Sequence, residues 1–378
     1  MNTRSGGTRF GPLLSSAWAS VWLATAIVLP LPAAPARVVV VAGGGNNTNA
    51  TKPLPGPELK LGSPFGVDFD AAGTLYLVEM TGQRVRKMGM NGRMEILAGT
   101  GAQGQAGDGG PARRAEFNGP HNLAVSQAGD LFIADTWNNR VRRIDGATGR
   151  IQTVAGTGEK GFSGDGGPAT LARFGGIYCV SLTPDGSELL LADLDNLRIR
   201  AVHLASGLVR TVAGNGNGGV PAEGASALHS PLVDPRAVIG DREGRVYVLE
   251  RGGHALRRVD RDGTVHTVVG GSGKAGASGD GGPALAATLN GPKHLCLDRD
   301  GGILIADTEN HLIRKYTPTD GRIVRVAGTG RPGTAGLEGP PLQAELNQPH
   351  GVTVRGDGTL FISDSSNHRV LGIERGRR

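Results

Sequence analysis

The chain has 378 residues, 64 of them glycine and only 4% aromatic, with a formal charge of +6. Two cysteines exclude a disulfide scaffold, and a basic excess this small does not by itself point to nucleic acid. The glycines are spread over turns rather than gathered in one tract, which argues against disorder and for a repeat architecture carrying this length as one domain.

Residues 1–36 stand apart from the rest of the chain. Arg4 and Arg9 open the chain without an acidic residue, Ala17–Leu31 is apolar, and Ala34-Pro35-Ala36 supplies small residues where a signal peptidase reads. This pattern predicts a secretory signal over 1–36, with cleavage near Ala36 and no membrane insertion afterwards. Without Arg4 and Arg9, 38 basic residues face 34 acidic ones, a charge of +4. Asn46 and Asn49 each open an Asn-x-Thr sequon.

From residue 37 to 378 one unit recurs. A glycine after Val-Ala or its equivalent falls at Gly43, Gly99, Gly156, Gly214, Gly270 and Gly328. An acidic residue falls at Glu79, Asp135, Asp193, Glu250, Asp307 and Asp364. Both landmarks keep a period of about 57 residues. Within a unit, Asn122–Ser126, Leu131–Asp135, Arg140–Asp145 and Ile151–Gly156 read as short β runs between Gly, Asp and Asn turns. Four strands per unit and six units predict an all-β, six-bladed β-propeller of four-stranded antiparallel blades. The last unit lacks a fourth strand, whereas Val38–Ala42 matches a fourth strand with no first strand before it. The N-terminal strand is therefore expected to complete the last blade and close the ring.

Cys179 and Cys296 lie in the same type of apolar strand two units apart and read as small buried residues. GDGGPA recurs at 107–112, 164–169 and 279–284. Its Asp108, Asp165 and Asp280 read as turn caps among glycines of positive φ, because calcium would need several carboxylates together. The acidic column is expected to accept backbone N–H bonds at a strand-to-strand turn. Asn138, Asn196, Asn310, Asn367, Gly82 and Gly253, three residues later, are expected to take the left-handed backbone there. The arginines of the third strand (Arg84, Arg86, Arg140, Arg142, Arg198, Arg200, Arg257, Arg314, Arg369) read as a solvated strand near the blade edge.

GDGGPA, Ile-Ala-Asp-Thr-x-Asn at 133–138 and 305–310, and Arg-Val-Arg-Arg-Ile together resemble the NHL repeat. The resemblance covers about residues 38–374, and the variant is similar to that of secreted bacterial NHL proteins, receptor-kinase sensor domains and the teneurin propeller. It implies a six-bladed propeller, most often a binding scaffold. Some relatives and look-alikes are enzymes, among them a zinc-dependent amidating lyase and calcium-dependent gluconolactonases, so membership does not settle function.

Function is sought where the six copies differ. The residue at the start of the innermost strand is Phe65, His121, Tyr178, Arg236, Lys293 and His350, with a one-residue insertion near Ser187 bringing Tyr178 into line. These six are expected to ring one channel mouth and to offer an anionic ligand charge, adjustable donors and a stacking wall. Asn122 and His294 follow them. Zinc fits poorly: His121 and His350 would need a third ligand where Arg236 stands. A lactonase would need clustered channel carboxylates, for which only Asp68 is a candidate; Asp70, Asp241 and Asp298 lie at the opposite, turn end. The sequence has no Gly-x-Ser-x-Gly and no P-loop.

The reading is a secreted or periplasmic, monomeric binding scaffold without cofactor, metal or catalytic residues. Its partner would be a protein or an anionic small molecule, not nucleic acid. The alternatives are a lyase- or lactonase-like enzyme at the channel mouth, with His121 and His350 contributing, and an adhesive surface protein using the GDGGPA loops.

Overall fold

The structure, a computed structural model, describes Gly7, residues 36–48 and residues 52–374. Apart from Gly7 and Ala36, the predicted signal segment lies outside the described residues, as does the Asn49 sequon. Six antiparallel sheets form from runs of Val, Ile and Leu bounded by Gly and Asp turns. Blade 2 has the pattern of the rest, with Asn122–Val125 innermost, then Leu131–Asp135, Arg140–Ile144 and Ile151–Ala155. The six inner strands neighbour one another in sequence order, and that of blade 6 returns to that of blade 1. Blades 1 and 4 each carry a fifth strand of two residues, Leu54–Pro55 and Ala225–Ser226, on their outer edges.

The ring closes as expected. Arg37–Gly43 pairs antiparallel with Arg369–Glu374 and becomes the outer strand of blade 6. Val38 and Ala42 are buried in the process. Between blades, one apolar residue per repeat (Leu61, Phe117, Phe174, Leu232, Leu289, Leu346) is buried, and burial of each contributes about 2 kcal/mol.

The six acids do accept backbone N–H groups. Those of Gly62, Asn118, Gly175, Val233, Asn290 and Asn347 donate to them at 2.6–2.8 Å. The left-handed residue, however, is not the Asn or Gly three positions on. It is the next residue: Gln83, Asn139, Leu197, His254, His311 and His368, with φ between 48 and 56°. The Asn has another task. Asn138 Nδ2 donates to Asp135 Oδ2 at 2.8 Å and to Gly104 O at 2.8 Å, tying the acid to the preceding loop.

The third-strand arginines correct the expectation of a solvated edge. Arg86, Arg142, Arg200, Arg257 and Arg314 are among the largest fully buried side chains of the protein. Burying a guanidinium requires a carboxylate, and the GDGGPA aspartates supply it rather than capping their own turn. Arg142 Nε and Nη2 donate to Asp108 Oδ1 at 3.0 and 2.7 Å, and Arg200 does the same to Asp165 at 3.2 and 2.6 Å. Arg314 reaches Asp280 at 2.9 Å. The glycines on either side of each Asp are at positive φ, as expected. The loop's proline pairs with the start of the outer strand (Pro111 with Arg150, Pro168 with Leu208, Pro283 with Arg322), so the loop itself covers the blade edge.

Blades 1, 4 and 6 lack that aspartate; in blades 1 and 4 the column acid is the longer glutamate, whereas blade 6 keeps Asp364 and has Leu371 where the others bury an arginine. Glu79 accepts from Arg86 Nε at 2.5 Å, and Glu250 from Arg257 at 2.8–2.9 Å. The longer side chain fills the space of the Asn. A Cβ at Gly82 would stand 2.8 Å from Glu79 Cβ, and one at Gly253 2.4 Å from Glu250 Oε2. Asp with Asn and Glu with Gly are two solutions to one problem, neutralising a buried arginine.

Candidate functional site

Each residue of the predicted ring is aimed by the same backbone. Two positions before it stands a left-handed residue: Ser63, Gly119, Gly176, Asp234, Gly291 and Gln348, with φ between 47 and 74°. In blades 1, 3, 4 and 6 the register then shifts at the ring residue. Such a bulge lifts one residue out of the ladder and re-aims its side chain.

The structure brings these side chains together. Phe65 stacks on His350 with centroids 4.1 Å apart and meets His121 edge-on at 5.1 Å. His121 meets Tyr178 edge-on at 4.7 Å, and the Arg236 guanidinium lies 4.3 Å above the Tyr178 ring. Lys293 completes the circle, with Nζ 2.7 Å from Glu309 Oε1. Trp137, half-exposed, leans on His121 from outside at 5.7 Å. The mouth is thus plugged by its own side chains, of which Tyr178, Lys293 and His350 remain partly exposed.

The histidines are neutral acceptors here. A carbonyl only accepts, so His121 Nδ1–H donates to Gly119 O at 2.6 Å and His350 Nδ1–H to Gln348 O at 2.8 Å, leaving both Nε2 atoms unprotonated. Burial, reinforced by Arg236, lowers the pKa of His121 to about 3; burial and Lys293 hold His350 well below its ordinary value. Positive charge comes from Arg236, Arg251 and Lys293. Arg251 is paired with Asp234 at 2.6 Å and Lys293 with Glu309.

Arg236 has no such partner. It is 5% exposed, forms no ion pair among the described residues, donates only from Nη1 to Tyr178 O at 3.3 Å, and its buried Nε has no acceptor. Burial, together with the Arg251 charge, draws its pKa down to about 10, so it remains a cation at neutral pH. Three cations against two carboxylates leave one positive charge uncompensated at the mouth.

Directly beneath the plug, Asn122 Nδ2 and His294 Nε2 stand 2.9 Å apart. They come from blades 2 and 5, on opposite sides of a six-membered ring, so this pair is a bar across the channel. Below it the channel widens into a cavity of about 370 Å3 that reaches Pro184 and Arg242 at the opposite face. Asp68 lies there and not at the mouth. Cys179 is buried and Cys296 half-buried; both are free and both line this cavity. Among the described residues no three His, Cys, Asp or Glu side chains are grouped to hold a metal ion, and no helix is long and apolar enough to cross a membrane.

Fold and mouth define a six-bladed β-propeller with a plugged channel. The model of the NHL repeat matches residues 117–144, 289–316 and 346–373, which are blades 2, 5 and 6. Two relatives align along most of the chain. Protein SUPPRESSOR OF QUENCHING 1, chloroplastic, of Arabidopsis thaliana is 29% identical over 288 residues, covering 72% of this chain and 27% of that protein. NHL repeat-containing protein 2 of Homo sapiens is 25% identical over 326 residues, covering 78% and 44%. The chain thus spans less than half the length of these relatives. An auxiliary nutrient binding protein from Bacteroides thetaiotaomicron shares the fold at a TM-score of 0.66 and 15% identity, covering 90% of this chain and 77% of that one. Three of the six blades thus match the NHL repeat, and the chain is similar along most of its length to NHL repeat-containing protein 2.

Proposed function

We propose that this propeller is an extracytoplasmic binding scaffold whose loop-face channel mouth takes an anionic small molecule, with Arg236 as the primary contact. The observation that carries the reading is the buried, unpaired guanidinium of Arg236. A buried charge without a counter-charge costs several kcal/mol, and a ligand carboxylate or phosphate would supply that counter-charge in bidentate geometry. Lys293 and Arg251 add field, and Tyr178, Phe65 and Trp137 add apolar and stacking surface. Export rests on the pattern of residues 1–36.

A binding role is favoured over catalysis by the histidines. A general base works best with a pKa near the working pH, whereas His121 stays neutral down to about pH 3. The test is a thermal-shift and calorimetric screen of gluconate, galacturonate, succinate and phosphate on the wild type and on Arg236→Gln. An anion at 100 times its Kd raises stability by about 2.7 kcal/mol. The expected result is stabilisation of the wild type that the variant loses. An equal response from Arg236→Gln would overturn the reading, as would a drop in melting temperature on adding EDTA with no anion effect.

A further inference from the structure

We propose that the channel holds a second ligand site, entered from the face opposite the mouth, that takes a small organic ammonium ion with an apolar body. The site is the cavity below the Asn122–His294 bar. The plug residues are not among its lining, so it is blind at the loop end, and it opens past the exposed Pro184 and Arg242 at the turn end. Its volume of about 370 Å3 falls within the roughly 300–1,000 Å3 of small-molecule pockets.

The lining decides the ligand class. Asp68 supplies the only carboxylate. It accepts one backbone N–H on each oxygen, from Phe69 and Val125, both at 2.9 Å, and forms no ion pair among the described residues. Burial pushes its carboxyl up to about 6, so at neutral pH it is mostly an anion short of a counter-ion. Apart from the Thr353 hydroxyl, which makes no hydrogen bond among the described residues, the other polar groups inside the cavity are committed. Ser181 Oγ donates to Val238 O at 2.8 Å, Asn122 Oδ1 accepts from Val180 N at 2.9 Å, and Asn122 Nδ2 meets His294. A polyol would find few partners here. The rest of the lining is mainly apolar, with Ala124, Leu182, Ile239, Cys296 and Leu297 among it. One charged acceptor in an apolar funnel fits one ammonium head on a hydrocarbon body. The charge of Arg242 at the rim is exposed and screened by salt.

Calorimetric titration of the full-length protein with cyclohexylammonium chloride and with cyclohexanol at pH 7.5 tests this. The amine is expected to bind, and the alcohol about tenfold or more weaker. Asp68→Asn is expected to lose amine binding. Thr353→Trp fills the cavity without touching the Asp68 hydrogen bonds and is expected to lose it with its circular dichroism unchanged. Arg236→Gln is expected to keep it, which separates this site from the mouth. Equal binding of alcohol and amine, or amine binding that survives Thr353→Trp, or no amine binding by the wild type, would overturn the proposal.

Discussion

Replacing Asp108 by alanine removes the counter-ion of a fully buried arginine, and its cost distinguishes two accounts of the GDGGPA loop. The wild-type carboxylate accepts two bonds from Arg142 and one from Thr153 Oγ1 at 2.6 Å. Without it, Arg142 keeps the carbonyls of Glu116 and Ala106 and faces Asp135 at 3.9 Å. Breaking a buried pair costs about 3–5 kcal/mol. The Asp108 side chain is 38% exposed, so water replaces part of the loss and about 2–3 kcal/mol is expected. A mere turn cap would contribute about 1 kcal/mol. The exposed Arg37–Glu338 pair, in the corresponding loop before blade 6, serves as the internal control, with a cost below about 1 kcal/mol for Glu338→Ala. Urea denaturation of Asp108→Ala, Arg142→Met and the double variant supplies the coupling energy. A coupling near zero, or an Asp108→Ala cost no larger than that of Glu338→Ala, refutes the buried-clasp account.

Deleting residues 37–43 leaves blade 6 with three strands and exposes the side chains packed on Val38 and Ala42; a loss of about 5 kcal/mol is expected, read as a melting temperature lowered by many degrees. The pH dependence isolates the plug. His121 titrates near 6.5 when unfolded but near 3 when folded, so its contribution is present above pH 6.5 and is lost as pH falls below it, by about 2 kcal/mol at pH 5. His121→Phe is expected to lose that much less stability than the wild type between pH 7 and pH 5; identical pH slopes would contradict a buried neutral His121. Burial pushes the Cys179 thiol up to about 11 and raises that of Cys296 further, so neither is expected to react quickly with a thiol reagent at pH 8 until the protein is unfolded.

Blade number, ring closure and the ring of six mouth residues were legible because each recurs at one period, and a repeated backbone aims equivalent residues alike. The burial of Arg142 and its counterparts was not. Arg-Val-Arg-Arg alternation names a face of the strand without saying what covers it, and the cover is a loop about 34 residues earlier. A signal existed nonetheless: column glutamate occurs with glycine three residues on and without a GDGGPA aspartate before it, at Glu79 and Glu250. Blade 6, which has neither the loop aspartate nor the glutamate, has Leu371 in place of the buried arginine, so wherever that arginine stands its charge is met. The Asn122–His294 bar joins residues 172 apart in sequence, and the isolation of Arg236 is a property of what surrounds it. Neither follows from a repeat pattern.

Anomalous diffraction from crystals soaked in selenate tests most directly whether Arg236 takes its counter-charge from a bound anion. A selenium peak within hydrogen-bond reach of the Arg236 guanidinium, absent in Arg236→Gln crystals, is the result expected. Peaks at exposed arginines with none at Arg236 would contradict it.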